Sequence, residues 1–458
     1  MSRQNLAIVL LCCVGACLMA CHKDFLDEKP DQSLLVPKAL DDYQKILDNL
    51  NIMNYGGGLS IMAGDEFYND NLEALSLAAE RNAYKWADDV YEGFANVADW
   101  VNPYQQIFYA NIVLEGIDDD FSGTKGEQQV KDIYGAALFY RGLALYNLLQ
   151  QFAPAYGLGD PENTPGLPVR TYSNVNSIEP RSSLATCYRQ VLQDIASAAE
   201  LLTAVSVVES RPNRIACHAL LARVFLTMGN YDEALHYADR VIEGSGGLLD
   251  YNSLNSDLAA PFPTIFKEEN EEVIFYSRTI NYSFYLSNQS LVDSLLYETY
   301  SEYDLRKRLY FTYNEQSKGF NFKGSYTGDQ YLFTGIALDE IYLIKAECLA
   351  RKGKGEESLN TLNSFLETRF ERGRYEKVSA LEGDDLVDYI LAERHKQLIG
   401  RNLRWTDLKR FNLEANRQKI LSKVVNGEEL FLKPNDLKYL FPLPDSEIAG
   451  GHIDQNTR

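Results

Sequence analysis

The chain has 458 residues, room for two or three domains or one large helical body. Apolar residues make up 45% and charged residues 24%, which allows a sizeable core and excludes wholesale disorder. Lys and Arg number 44 against 65 Asp and Glu, a net charge of −21, so the chain repels phosphate backbones and gains nothing from anionic lipid. Nucleic acid is not an expected partner, and membrane attachment needs another source.

Residues 1–20 supply that source. Arg3 precedes an apolar run from Leu6 to Ala20, and no acid occurs before Asp24, the pattern of a signal peptide too short to span a bilayer comfortably. The junction Leu18-Met19-Ala20-Cys21 resembles a bacterial lipobox, with Cys21 the expected lipidated residue. Cys17, after Val14-Gly15-Ala16, is the rival; polar sequence starting directly after Cys21 favours the later cut. Beyond it remain Cys187, Cys217 and Cys348, an odd number without paired spacing, so neither a disulfide framework nor a zinc site is expected.

The rest reads as mostly helix. Ile133, Ala137, Tyr140, Ala144 and Leu148 fall at helical spacing within 132–152, and 183–202 repeats the behaviour with Ser183 as a plausible N-cap. Between them Pro154, Pro161, Pro165 and Pro168 exclude regular helix. In 219–242 an apolar helix ends at Gly229 and a second opens at Tyr231; in 342–366 the same arrangement turns at Gly353. Ala222 and Ala346 each lie seven residues before their Gly, and Ala234 and Ser358 each lie five after it, small residues that let paired helices approach closely. This resembles tetratricopeptide helix pairs. The expected fold is therefore mainly all-α, a tetratricopeptide-like helical-repeat scaffold at about 98–245 and 336–412. Long, irregular, Tyr-rich insertions at about 50–95 and 246–335 form a loop-rich ligand-binding lobe, and 21–458 is one body. Residues 51–70 look loop-like.

In this order the pieces resemble the SusD/RagB family of outer-membrane nutrient-binding lipoproteins over nearly the whole chain. Cys21 with Phe25-Leu26-Asp27 and Pro30 is similar to the family's start, and Trp100, Tyr104, Ile107 and Asn111 to its early helix motif. Residues 211–239 and 338–353 resemble its repeat cores. Glu393-Arg394, Leu398, Arg404-Trp405, Asp407-Leu408 and Arg410 fit its late signature, and Phe441-Pro442-Leu443-Pro444, Glu447 and Gln455-Asn456 its closing segment. Gln397, Arg401 and Asn402 stand where the family pattern has Glu, Glu and Gly, which predicts rewired ion pairs and a left-handed Asn402. The resemblance implies a lipid-anchored, cell-surface, outer-membrane protein. Its partner would be a SusC-like TonB-dependent barrel to which it delivers nutrient, usually an oligosaccharide, without doing chemistry. Lys23-Asp24 resembles the family's surface-export start. Peptide import and a protein–protein scaffold remain as alternatives.

No catalytic constellation and no cofactor motif is found: HExxH, GxSxG and the Walker pattern are missing from the sequence, and the five His are scattered. Glu393 and Asp407 read as members of an ion-pair helix. Asp118, Asp120 and Ser122 match the first positions of a calcium loop, but Gln129 occupies the place of the bidentate acid, and an ordinary acidic loop explains them as well. A sugar ring offers an apolar face and a hydroxyl rim, which suits Tyr and Trp. The candidate contacts are Trp86, Tyr282, Tyr285 and Tyr326, with Asp65, Asn69 and Asp70 as hydroxyl acceptors.

Overall fold

The computed structural model describes residues 37–458 apart from 207, 265–269 and 452. Residues 1–20, expected to be a signal peptide, and with them Cys17, as well as Cys21, lie outside the described residues. Residues Leu40–Arg458 pack as one unit.

The helices form where apolar period and capping coincide. After α1 (Leu40–Leu47) come α2 (Ala98–Asp120), α3 (Gln128–Phe152), α4 (Leu184–Leu201), α5 (Arg214–Thr227) and α6 (Tyr231–Gly244). Ser183, Asn213 and Asn230 cap α4, α5 and α6, each side chain accepting from a backbone N–H three residues on. Then follow α7 (Leu338–Arg351), α8 (Gly355–Glu367), α9 (Gly383–Gln397) and α10 (Arg404–Phe411). Each helix from α2 to α8 packs on the next in sequence, and α9 packs on α7. Residues 245–337 leave the stack and return, so α7 sits directly on α6 and the repeat continues across the insertion. This is the expected tetratricopeptide-like scaffold.

The small residues do what their spacing implied. Ala222, Ala234, Ala346 and Ser358 are fully buried, and the Ser358 hydroxyl donates to Ala346 O at 2.7 Å, holding α8 against α7. Gly229 and Gly353 turn the chain at φ 74° and 73°, the left-handed conformation that a Cβ disfavours. Cys187, Cys217 and Cys348 are buried and free.

The loop-rich segments are more ordered than their composition suggests. Residues 51–70 contain helices Leu50–Met53 and Leu59–Ala63 and strands Tyr55–Gly56 and Phe67–Asn69. The first strand pairs in parallel with Arg278–Thr279 and the second antiparallel with Ser290–Val292, so the two insertions knit into one lobe. Val273–Phe275 pairs with Ile336–Ala337 where the long insertion meets the scaffold. The proline-rich connection also holds a strand pair, Pro165–Pro168 with Arg181–Ser183.

Buried charges lock the late helices. Arg223 on α5 makes two bonds to Glu340 on α7, at 2.9 and 2.6 Å. Asp407 accepts from Arg394 and Arg410, both at 2.9 Å, and Glu393 accepts from Arg306 at 2.6 Å and Lys396 at 2.7 Å. Glu393 and Asp407 are thus structural ion-pair members. At the departures from the family pattern, Gln397 and Arg401 both donate to Asp339, at 2.7 and 2.9 Å. Asn402 is left-handed at φ 60°, as its position predicted, although α9 has already ended at Gln397.

The calcium-loop candidates fall across a helix boundary. Asp118 and Asp120 lie in the last turn of α2, where Asp118 pairs with Lys125 and Asp120 accepts from the Tyr43 hydroxyl at 2.8 Å; Ser122 is exposed beyond it. Among the described residues no group of three or more His, Cys, Asp or Glu is placed to hold a metal ion.

Candidate functional site

A cavity of about 320 Å³ opens where the two loop-rich segments meet. Phe67 comes from the first segment; Phe284, Tyr285 and Phe322 come from the second, with the aliphatic Ala259, Ala260, Leu286 and Leu332. Ser287, Asn288, Lys323, Asp329 and Gln330 supply polar groups around them. An apolar interior with a few polar groups is the usual construction of a small-molecule site.

The aromatic wall is held from behind by two buried carboxylates. Glu80, in the short helix Ala78–Tyr84, accepts from the Ser283 hydroxyl at 2.6 Å and the Phe284 N–H at 2.9 Å. Asp99, in the first turn of α2, accepts from the Tyr282 hydroxyl at 2.5 Å and from the N–H groups of Gly58 and Leu59 at 2.7 and 3.1 Å. Burial raises the Asp99 carboxyl above its ordinary value, while the Tyr282 and backbone hydrogen bonds pull the other way. Tyr285 donates to Gly58 O. The scaffold thereby fixes the 282–285 segment that forms one side of the cavity.

Of the seven residues expected at the site, only Tyr285 lines this cavity. Trp86 is 3% exposed; its Nε1 donates to Ala63 O at 2.9 Å and the Lys423 ammonium lies 4.8 Å from its ring. Tyr282 is 4% exposed and spends its hydroxyl on Asp99. Tyr326 is fully buried, donating to Glu272 at 2.5 Å beneath the Arg401 guanidinium, 4.0 Å from its ring. These three rings face the interior, because a partner elsewhere in the chain claims the polar tip or the ring face of each. Asp65 forms a two-pronged bond with Arg404 at 2.7 and 2.8 Å and a third with Lys419 at 2.7 Å. Burial opposes its ionisation, yet the Arg404 guanidinium holds the carboxyl well below the usual range. Asn69 is buried one step behind the cavity, donating to the Ser290 hydroxyl at 2.8 Å, and Ser290 reaches the lining. Asp70 is exposed next to it.

Phe67, Phe322, the two alanines and the Asn288 and Gln330 amides were not singled out by sequence reasoning. Nothing local marks them; they share a cavity only because Phe67–Asn69 pairs with Ser290–Val292. Other hollows lie on the scaffold. One of about 750 Å³ runs along α8 and the loop before α9, and one of about 350 Å³ lies beside Trp100, Tyr104 and Tyr172. In the second, Asn111 is already committed, donating to Arg170 O and Tyr172 O and accepting from Arg141.

The early helix motif and the closing segment have direct structural roles. Tyr104 donates to Pro168 O at 2.9 Å, and Asn456 donates to Phe152 O and Phe441 O, both at 2.8 Å. These bonds tie the proline-rich connection and the C-terminal segment to α2 and α3.

A search of curated proteins finds no match. Two family models do match: one described as "Starch-binding associating with outer membrane" over residues 24–226, and one described as the SusD family over residues 299–456. Solved structures share the fold. A SusD superfamily protein from Bacteroides thetaiotaomicron is 23% identical with a TM-score of 0.71, covering 92% of this chain and 100% of its own. A SusD superfamily protein from Bacteroides vulgatus is 18% identical with a TM-score of 0.74, covering 92% and 99%. A SusD-like carbohydrate binding protein from Bacteroides vulgatus is 20% identical with a TM-score of 0.69, covering 91% and 97%. With both family models matching in chain order and the helical stack shared end to end, this chain belongs to the SusD/RagB family.

Proposed function

We propose that this protein is a cell-surface, lipid-anchored binding protein of the outer membrane that captures an oligosaccharide and passes it to a TonB-dependent barrel transporter. The observation that carries the reading is the cavity between the two loop-rich segments, with aromatic and aliphatic walls and exposed side-chain amides at its edge. Family membership supports an outer-membrane binding role, and structural relatives described as sugar-binding or carbohydrate-binding point to glycans. Among the described residues no helix is long and apolar enough to cross a membrane. In this reading the anchor is acylated Cys21, after the lipobox-like Leu18-Met19-Ala20. The protein acts by binding, not by catalysis.

Calorimetric titration of the purified protein against neutral oligosaccharides, charged glycans and peptides tests this. Saturable binding to one neutral glycan class is expected. Binding to peptides alone would replace glycan capture by peptide import, and silence across the panel would favour a scaffold.

A further inference from the structure

Most polar groups of the cavity are already committed. The Asn321 amide donates to Asn288 O and Ser290 O, and its oxygen accepts from Asn314. The Ser325 hydroxyl bonds to Tyr331 O at 2.5 Å. The Lys323 ammonium donates to Ser256 O at 2.6 Å and Leu258 O at 3.1 Å, and Asp329 shares the lining with it. An anionic sugar would meet an ammonium already bound to carbonyls and a carboxylate of its own sign, so the cavity suits a neutral ligand. The side-chain amides of Asn288 and Gln330 are exposed at the lining and make no hydrogen bond among the described residues.

The apolar part of the lining is unusual for a sugar bearing only hydroxyls. Ala259, Ala260, Leu286 and Leu332 offer methyl groups and no hydrogen bond, so a hydroxyl placed against them loses water without a replacement. All three Trp are at least 97% buried, so none offers an indole face for stacking. At about 320 Å³ the cavity is at the small end of ligand sites, the size for about one ring and its substituent.

Building on the glycan reading above, we propose that the cavity selects sugars carrying an N-acetyl group, 2-acetamido hexoses, with the acetyl methyl against the aliphatic side chains and the amide group hydrogen-bonded to Asn288 and Gln330. An acetamido substituent matches both halves of the lining: a methyl for the aliphatic side, and one N–H and one C=O for side-chain amides that can accept and donate. Methyl burial and one net hydrogen bond together correspond to about a tenfold preference over the parent hexose.

Saturation-transfer NMR of the purified protein with N-acetylglucosamine, N-acetylgalactosamine, glucose and galactose tests it. The acetamido sugars are expected to bind about tenfold more tightly than their parents, with the strongest saturation on the acetyl methyl protons. Asn288→Ala combined with Gln330→Ala changes only exposed side chains and is expected to cut the preference to about threefold or less. Glucose or galactose binding as well as its acetamido partner overturns the selectivity and leaves glycan capture standing. Silence of all four sugars also overturns the selectivity; glycan capture is then decided by the oligosaccharide titration alone.

Discussion

Lys423 is the residue that turns Trp86 inward. Its ammonium lies 4.0 Å from the Tyr84 ring and 4.8 Å from Trp86, and it donates to Met62 O. Trp86 also holds φ 54°, rare for a bulky residue, with its indole N–H on Ala63 O as compensation. Close by, burial and the neighbouring Asp65 push the Glu66 carboxyl up to about 8 from an ordinary 4.5, against the pull of Arg404. The folded chain then keeps a proton that the unfolded chain has released, so Glu66 makes stability fall as pH rises from about 4.5 to about 8. At ~1.4 kcal/mol per pKa unit the upper bound is about 5 kcal/mol. Urea unfolding should show Glu66→Gln close to wild type at about pH 5 and more stable by a few kcal/mol at about pH 8.5. An unchanged difference between the two pH values contradicts it.

At the scale of elements, the helix pairs turn on Gly229 and Gly353. A Cβ at either left-handed position costs about 1 kcal/mol, so Gly229→Ala and Gly353→Ala should each lower the unfolding free energy by that amount, read as a lower urea midpoint with unchanged slope. The buried pair joining α5 to α7 carries more. Glu340→Ala leaves Arg223 uncompensated in the interior and should cost ~3–5 kcal/mol, read by the same unfolding measurement.

These elements were legible in the sequence because their signals are local: an apolar face every three or four residues, a capping side chain three residues before its N–H, a Gly at the turn. The short strands at Tyr55 and Phe67 were not, because their hydrogen bonds go to residues more than two hundred positions away. The cavity was legible only as a region. Residue type marks a Tyr as suited to sugar, but Tyr282 and Tyr326 meet Asp99 and Glu272 first, and no local pattern announces either partner.

For the whole molecule, the scaffold serves as a frame that holds the proposed binding lobe. Asp99 belongs to both, as a helix residue whose carboxylate gathers Gly58, Leu59 and Tyr282. Asp99→Ala should therefore loosen the 282–285 wall and weaken ligand binding about tenfold or more while the far scaffold stays folded, seen as faster hydrogen exchange confined to the lobe. In cells, Cys21→Ala should move the protein out of the membrane fraction if Cys21 is the acylated residue. The position of the ligand in the cavity is the central claim. Ala259 is exposed at the cavity lining, so Ala259→Trp fills the space without disturbing the core. Calorimetric titration of wild type and Ala259→Trp with the oligosaccharide that binds should show affinity falling at least about tenfold in the variant; an unchanged affinity would place the ligand elsewhere and contradict the account.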